Sequence, residues 1–409
     1  SDLTVDLNGH TYNAIRLQGI NNYGTSPTVS APMTFKSTGS AGTYVTQNYA
    51  PSGAIDIQDA TTIYARAGLV YGIATNTTTT TFSSNSTFQI AGTTSGPNGY
   101  NSALGAKTTI SSANQAFGNL TFGDTQTGHY TSVIINDPTY ATGLITVRGN
   151  MTLAGGNTDL VLSQTYTTAQ GIKVGGNFLD QGGSFGYYTA VTAAEHDARI
   201  IMNGGAGTEH TLSINRVLVS TVGSGSVNRY SDFEIGDGTT AGNIKLVNYG
   251  ANATTALNTQ GSVKVWGNSR LNLDKATSSG SASLIAGSIN IVTGASIADT
   301  LDTHSGFGST SGGLTLNTFN LELNYSGTGW TSGSDLLLFS YGSLTGTPTL
   351  GTLTLGSGIA SVGSLYLSGN NVYLSNVQLT AVPEPSAALL IGAFGGLVVW
   401  TVRRKNRKA

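Results

Sequence analysis

Runs in which every second residue is apolar recur along the chain, as in "LTVDLNG" (Leu3–Gly9), "VKVWGNSRLNL" (Val263–Leu273) and "NLELNY" (Asn320–Tyr325). A period of two bounded by Gly and Asn predicts half-buried strands. Before the C-terminal tail only "TAVTAAEHDARI" (Thr189–Ile200) suits a short helix, so the expected class is all-β.

A longer regularity overlies the strands. "GLITVRGNMTL" (Gly143–Leu153), "GIKVGGNFLD" (Gly171–Asp180), "GSVKVWGNSRLNL" (Gly261–Leu273) and "GSINIVTGASI" (Gly287–Ile297) share a template of Gly, an alternating run, a Gly-containing turn and a second apolar run. "GNLTF" (Gly118–Phe122) and "GNIKLVN" (Gly242–Asn248) are looser copies, and the starts are separated by 25, 28, 71, 19 and 26 residues. Spacings in the twenties fit a solenoid whose rungs bury their apolar faces only against their neighbours, with two or three divergent rungs inside the 71-residue gap. An antiparallel sandwich is the competing arrangement, and it would repeat its strands every ~8–12 residues. The predicted architecture is a right-handed parallel β-helix, with Gly at corners that need φ > 0 and Asn stacking beside it.

Four segments follow from this reading: 1–117, an N-terminal β-rich part of the solenoid; 118–310, the repeats; 311–381, a C-terminal β module capping the last rung; and 382–409, a tail. The module is set apart by longer strands and by the hairpin signal Ser368-Gly369-Asn370-Asn371 in "GSLYLSGNNVYLSNVQL". The first residues, Ser1-Asp2-Leu3, show no export-signal pattern and read as a matured end or the start of a fragment.

Composition narrows the function classes. Charged residues are only 9% of the chain, against about 25% in average soluble domains, but Val, Ile, Leu, Tyr and Phe are spread evenly, so the body is expected to fold. The net charge of −2 conceals five cations in the last seven residues, and without them 13 basic residues face 20 acidic ones. A mildly acidic body without a basic stripe argues against nucleic acid as a partner. Cys is absent, which excludes disulfides and thiolate metal sites.

The tail combines a Pro383-Glu384-Pro385 turn, an uncharged segment 387–402 and the basic cluster Arg403, Arg404, Lys405, Arg407 and Lys408. Sixteen helical residues reach about 24 Å, short of the ~30 Å hydrocarbon core, and Gly392, Gly395 and Gly396 weaken the span further. The candidate membrane-inserting residues are Ala387, Leu389, Leu390, Ile391, Phe394, Leu397, Val398, Val399, Trp400 and Val402. Their apolar members favour insertion by roughly 3–5 kcal/mol before the glycines are counted, and the basic cluster should stay cytoplasmic. A simple tail anchor is the plainer alternative. A buried core helix fails because its terminal cations would lack partners.

In motif, spacer and basic end, this tail resembles the PEP-CTERM sorting signal of Gram-negative bacteria. The resemblance implies an exported protein tethered transiently in the inner membrane by a short transmembrane helix. It also implies cleavage near Pro-Glu-Pro by an exosortase, followed by release to the cell surface or the extracellular matrix. The body, with its "LTVDLNG" opening and Gly-Asn rungs, is similar to the autotransporter-associated β-strand repeats that accompany such signals. Extracellular polysaccharide is then a candidate partner, in a structural, adhesive or biofilm-matrix role.

The search for catalysis yields fragments. Gly182-Gly183-Ser184-Phe185-Gly186 has the G-x-S-x-G spacing, with His196 and Asp197 downstream, but lacks the strand-to-helix context of a nucleophile elbow. "EHDAR" (Glu195–Arg199) is the densest titratable cluster and reads as a solvated face. The histidines, His10, His129, His196, His210 and His304, are scattered. Asp56 with Asp59 and Asp299 with Asp302 are the close acidic pairs, and "GGNTD" (Gly155–Asp159) is an unrepeated approximation of a calcium nonapeptide. Thr77–Thr81 reads as a polar loop, with O-glycosylation as the alternative. No catalytic residue, metal site or cofactor is therefore expected, and a non-enzymatic surface protein is the leading reading. The rival is a carbohydrate-active β-helix enzyme, a lyase or hydrolase. Three or more carboxylates converging with an Arg or Lys in one groove would sink the structural reading, whereas a groove lined by Asn, Thr and Tyr would favour binding or scaffolding.

Overall fold

The computed structural model describes residues 3–18, 33–50, 55–70, 80–91, 116–123, 131–134, 144–154, 158–161, 171–181, 184–186, 196–213, 220–221, 226–227, 230–247, 257–259, 261–273, 284–301, 307–325 and 327–380. Among them every regular element is a strand, and most of the strands stack in parallel as a β-solenoid. Each rung runs from a strand of a second sheet, round a tight corner, into a strand of a long sheet. Leu144–Val147 followed by Met151–Ala154 is one such step. The long sheet has 13 strands; the face before it is built by a 4-stranded and then a 9-stranded sheet, and a third face carries 3- and 7-stranded sheets. Side-chain hydrogen bonds between neighbouring rungs link residues 23 to 37 apart, the scale of one coil.

Register builds the core. On the second sheet Phe117, Val147, Val174, Met202, Ile235, Val265, Ile291 and Leu316 are successive partners, all buried. On the long sheet Ile63, Phe88, Leu120, Met151, Phe178 and Leu212 form a matching buried column. Each such side chain, stacked on like neighbours above and below, contributes about 1.5–3 kcal/mol through burial. Where the 4-stranded sheet ends and the 9-stranded one begins, Phe82, Phe88 and Phe117 close the gap with ring centroids 4.9–5.9 Å apart. The Arg148 guanidinium donates to the Phe82 carbonyl at the same junction.

The corners explain the Gly-Asn signature. Asn119 Oδ1 accepts from the Asn150 amide at 2.8 Å, Asn150 Oδ1 from the Asn177 amide at 2.9 Å, and Asn177 Oδ1 from the Thr211 amide at 2.7 Å. A polar ladder thus continues the sheet pairing round the bend, where strand hydrogen bonds stop. The adjacent glycines allow the close approach: a Cβ on Gly176 would lie 2.7 Å from both the carbonyl carbon of Gly149 and Oδ1 of Asn150.

Two expectations change and a third is made definite. The short helix over 189–200 is not formed in its described part, because His196–Met202 is a strand pairing on both sides with Gly171–Val174 and Tyr230–Ile235. Burial of Ile200 and Met202 in the columns overrides the helical preference of the Ala-rich approach. The 71-residue gap holds two rungs, His196–Met202 with Gly205–Ser213 and Tyr230–Ile235 with Gly242–Val247. Gly242 therefore opens a long-sheet strand and Gly118 precedes another, unlike Gly143, Gly171, Gly261 and Gly287, so the spacings of 25, 71 and 19 residues compare two different faces. Parallel stacking also continues past residue 311, through Gly313–Leu316 and Thr318–Tyr325 to Ser343–Thr345 and Thr349–Leu355. The antiparallel part consists of Ser334–Ser340, Ile359–Ser361, Leu365–Ser368 and Asn371–Leu379. Its hairpin turns at Gly369, φ +56°, with Ser368 opposite Asn371 as the sequence predicts.

Phe178→Ala is expected to destabilise the solenoid by about 3–5 kcal/mol, and Asn150→Ala by about 1 kcal/mol. Urea unfolding reads both, and amide exchange at Asn177 should quicken selectively in the second.

Candidate functional site

Outward-facing residues of the second sheet come into register just as the inward ones do. Lys173, Ile201, Glu234 and Lys264 are successive partners, and Arg199 stands opposite Asp232. With Asp237 and Trp266 from the adjoining corners they make a dense constellation of charge. Arg199 Nε lies 2.5 Å from Glu234 Oε1, while the Trp266 indole N–H donates to Glu234 Oε2 at 2.7 Å. The Lys264 ammonium sits 3.2 Å from the centroid of the same indole, a cation–π contact that fixes the ring.

One corner away, Asp237 Oδ2 meets the Lys173 ammonium at 2.5 Å and accepts from Asn203 Nδ2 at 3.3 Å. Its Oδ1 accepts the Thr239 and Thr240 amides at 2.9 and 2.6 Å. Desolvation pushes this carboxyl up, but hydrogen bonds from Lys173, Thr240 and Thr239, with the lysine charge, outweigh it and bring the pKa to about 2. Asp232 Oδ1 accepts the amide and hydroxyl of Ser262 at 2.7 and 2.6 Å.

A second cluster lies on the outer side of the long sheet. Arg270 reaches Glu209 Oε2 through Nη1 at 2.6 Å and Glu322 Oε2 through Nε at 2.9 Å. Asn272 Nδ2 also donates to Glu209, at 3.0 Å. One guanidinium thereby ties together acids from strands on either side of it, Gly205–Ser213 and Thr318–Tyr325.

Three carboxylates with Arg and Lys do share the second-sheet face, the arrangement that would favour an enzyme. Both oxygens of Glu234 and of Asp237 accept hydrogen bonds from fixed donors, and a carboxyl held near 2 stays ionised at neutral pH, so Asp237 cannot act as a general acid there. These bonds link groups from different rungs.

The residues singled out in the sequence are not brought together. Ser184 lies in the strand Ser184–Gly186, paired in parallel with Asp159–Val161, rather than in a turn entering a helix. Of "EHDAR", Arg199 joins the charged face; Glu195 lies outside the described residues. Asp56 accepts from the Thr81 hydroxyl at 2.9 Å and Asp59 from the Asn85 amide at 3.0 Å, so both serve the rung ladder. Asp299 is buried and accepts the Thr300 amide at 2.8 Å. His10 packs edge-on against Tyr12, and His210 is the register partner of Ile244. His129, His304, Asp302, Thr77–Thr79, Gly155–Asn157 and Gly182-Gly183 lie outside the described residues, as does the whole tail from residue 381. Among the described residues no helix is long and apolar enough to cross a membrane, and no group of three His, Asp or Glu is placed to hold a metal ion. The cluster around Glu234 was hidden because it draws on several rungs, and only Lys173 and Lys264 stand at equivalent template positions. No family model matches the chain, and no curated protein does.

Because the folded pKa of Asp237 is depressed, its contribution is complete above the ordinary value of 3.8 and is lost as pH falls toward about 2. Thermal unfolding followed across that window should show a steeper loss for the wild type than for Asp237→Asn, with parallel curves near neutrality.

Proposed function

We propose that this chain is an exported, non-enzymatic structural or adhesive protein of a Gram-negative cell surface or extracellular matrix. Its body is a right-handed parallel β-helix; residues 382–409 carry it to the inner membrane and present Pro383-Glu384-Pro385 to an exosortase. The observation that carries this reading is that the densest charged groups on the outer faces are engaged with one another across rungs. A rod built this way resists opening and gains nothing in reactivity, which suits spacing and attachment. The tail adds support through its turn, its short apolar segment and its terminal cations.

The expected outcome in the native host is a surface form whose C-terminus maps by mass spectrometry near Pro383–Ser386, with full-length chain accumulating when the exosortase is deleted. Recovery of intact Ala409 on the surface form would contradict the sorting reading and leave a plain anchor.

The carbohydrate-active alternative keeps one specific observation in its favour, the grouping of Asp232, Glu234 and Asp237 beside Arg199 and Lys173. Incubation with uronate-containing and neutral polysaccharides should yield no new reducing ends or unsaturated products. A product that disappears in Glu234→Gln would establish the enzyme instead.

A further inference from the structure

The outer face of the C-terminal antiparallel unit has a different chemistry from the rungs. Residues 327–380 contain a single charged side chain, Asp335, among Ser, Thr, Asn and Tyr. On the three strands Ser334–Ser340, Asn371–Leu379 and Leu365–Ser368, the positions Leu337, Tyr373 and Tyr366 lie in one row, while the alternate residues Leu336 and Leu374 are buried. The two tyrosine rings stack with centroids 5.2 Å apart and planes 15° from parallel, and both stay partly exposed.

Hydrogen bonds fix that stack. The Tyr366 hydroxyl reaches across the middle strand to donate to Asp335 Oδ2 at 2.7 Å, and Asp335 Oδ1 accepts the Asn376 amide at 2.9 Å. Asn371 Nδ2 donates to the Tyr373 hydroxyl at 3.3 Å, which leaves that hydroxyl's own proton available outward. The Asp335 bond also pushes the Tyr366 pKa up to about 12, so the bond that fixes the ring persists through the physiological range.

We infer that this ledge, Tyr366 and Tyr373 with Asp335 and Asn371, is a binding site for a neutral polysaccharide. The face of Tyr366 turned away from Tyr373 carries partial negative charge and attracts the polarised C–H surface of a pyranose ring, while the Tyr373 hydroxyl can donate to a sugar oxygen and the remaining lone pairs of Asp335 can accept from a sugar hydroxyl. Charge selects among saccharides: the one ionised group here is negative, and no lysine or arginine of residues 327–380 offsets it, so uronate or sulfated chains would be repelled. Fixing the rings beforehand lowers the entropy lost on binding. The inference extends the matrix reading and uses neither the sorting signal nor the charged faces.

Affinity electrophoresis of the full chain through gels containing hydroxyethyl cellulose or dextran tests it. Retardation by at least one neutral polymer is expected, weakened about tenfold in Tyr366→Ala/Tyr373→Ala and kept in Tyr373→Phe, which preserves the stack. Circular dichroism of the double variant should match the wild type; if it does not, Tyr366→Ser alone must show the weakening with the fold intact. Absence of retardation by both polymers, equal retardation of the variants, or stronger retardation by alginate would each overturn the assignment. Such a failure leaves the C-terminal mapping of the surface form unaffected, and the reverse also holds.

Discussion

A single rung of this protein can satisfy neither its backbone nor its apolar side chains. The strand Met151–Ala154 finds its hydrogen-bond partners in Asn119–Gly123 on one side and Phe178–Asp180 on the other, and Met151 is buried between Leu120 and Phe178. Everything else depends on that in-register parallel stacking. A slip of one residue would turn a whole strand inside out, exposing its column and burying threonines. The corner asparagines oppose such slippage, because each ties an amide of the next rung, those of Asn150 and Asn177 just outside the strands and that of Thr211 within Gly205–Ser213.

The same register organises the exterior. Lys173, Arg199, Glu234, Asp237 and Lys264 come from several rungs and close on one another around Trp266, as Arg270 does between Glu209 and Glu322. Exposed ion pairs contribute little singly, but these run along the solenoid axis and include a carboxylate with both oxygens bonded, so they add cohesion where sheets alone would be least constrained. Surface chemistry with an outward reach lies instead on the nearly uncharged end unit, where Tyr366 and Tyr373 are held in place by bonds that leave their rings partly open. On the reading proposed above, the solenoid supplies cohesion and its end unit recognition.

Much of the fold was legible because the apolar periodicity states which residues face inward. The template copies at Gly143, Gly171, Gly261 and Gly287 coincide with a second-sheet strand, a corner and a long-sheet strand. Alternation carries no label for the face, however, and "GNIKLV" on the long sheet reads like "GIKV" on the second. Nor does it encode strand direction, so the longer strands after residue 311 suggested a cap where Gly313–Leu316 and Thr318–Tyr325 continue the parallel stack. Helical propensity misled over Thr189–Ile200 because the local signal of Ala competes with a column position at Ile200 that only the assembled rungs reveal. The charged face was illegible for a related reason: its members are neighbours only once the rungs are counted correctly.

Because the chain has no native cysteine, that register can be tested by cross-linking. Thr121 and Thr152 are partners on adjacent rungs of the long sheet, and Leu179 is one rung further along the same outward row. Neighbouring parallel strands stand about 4.8 Å apart, within disulfide reach, whereas strands two rungs apart do not. Oxidation of Thr121→Cys/Thr152→Cys should give an intramolecular disulfide in nearly every molecule, mapped by peptide mass, while Thr121→Cys/Leu179→Cys should stay reduced. A disulfide in the second pair and not in the first would contradict the stacked solenoid.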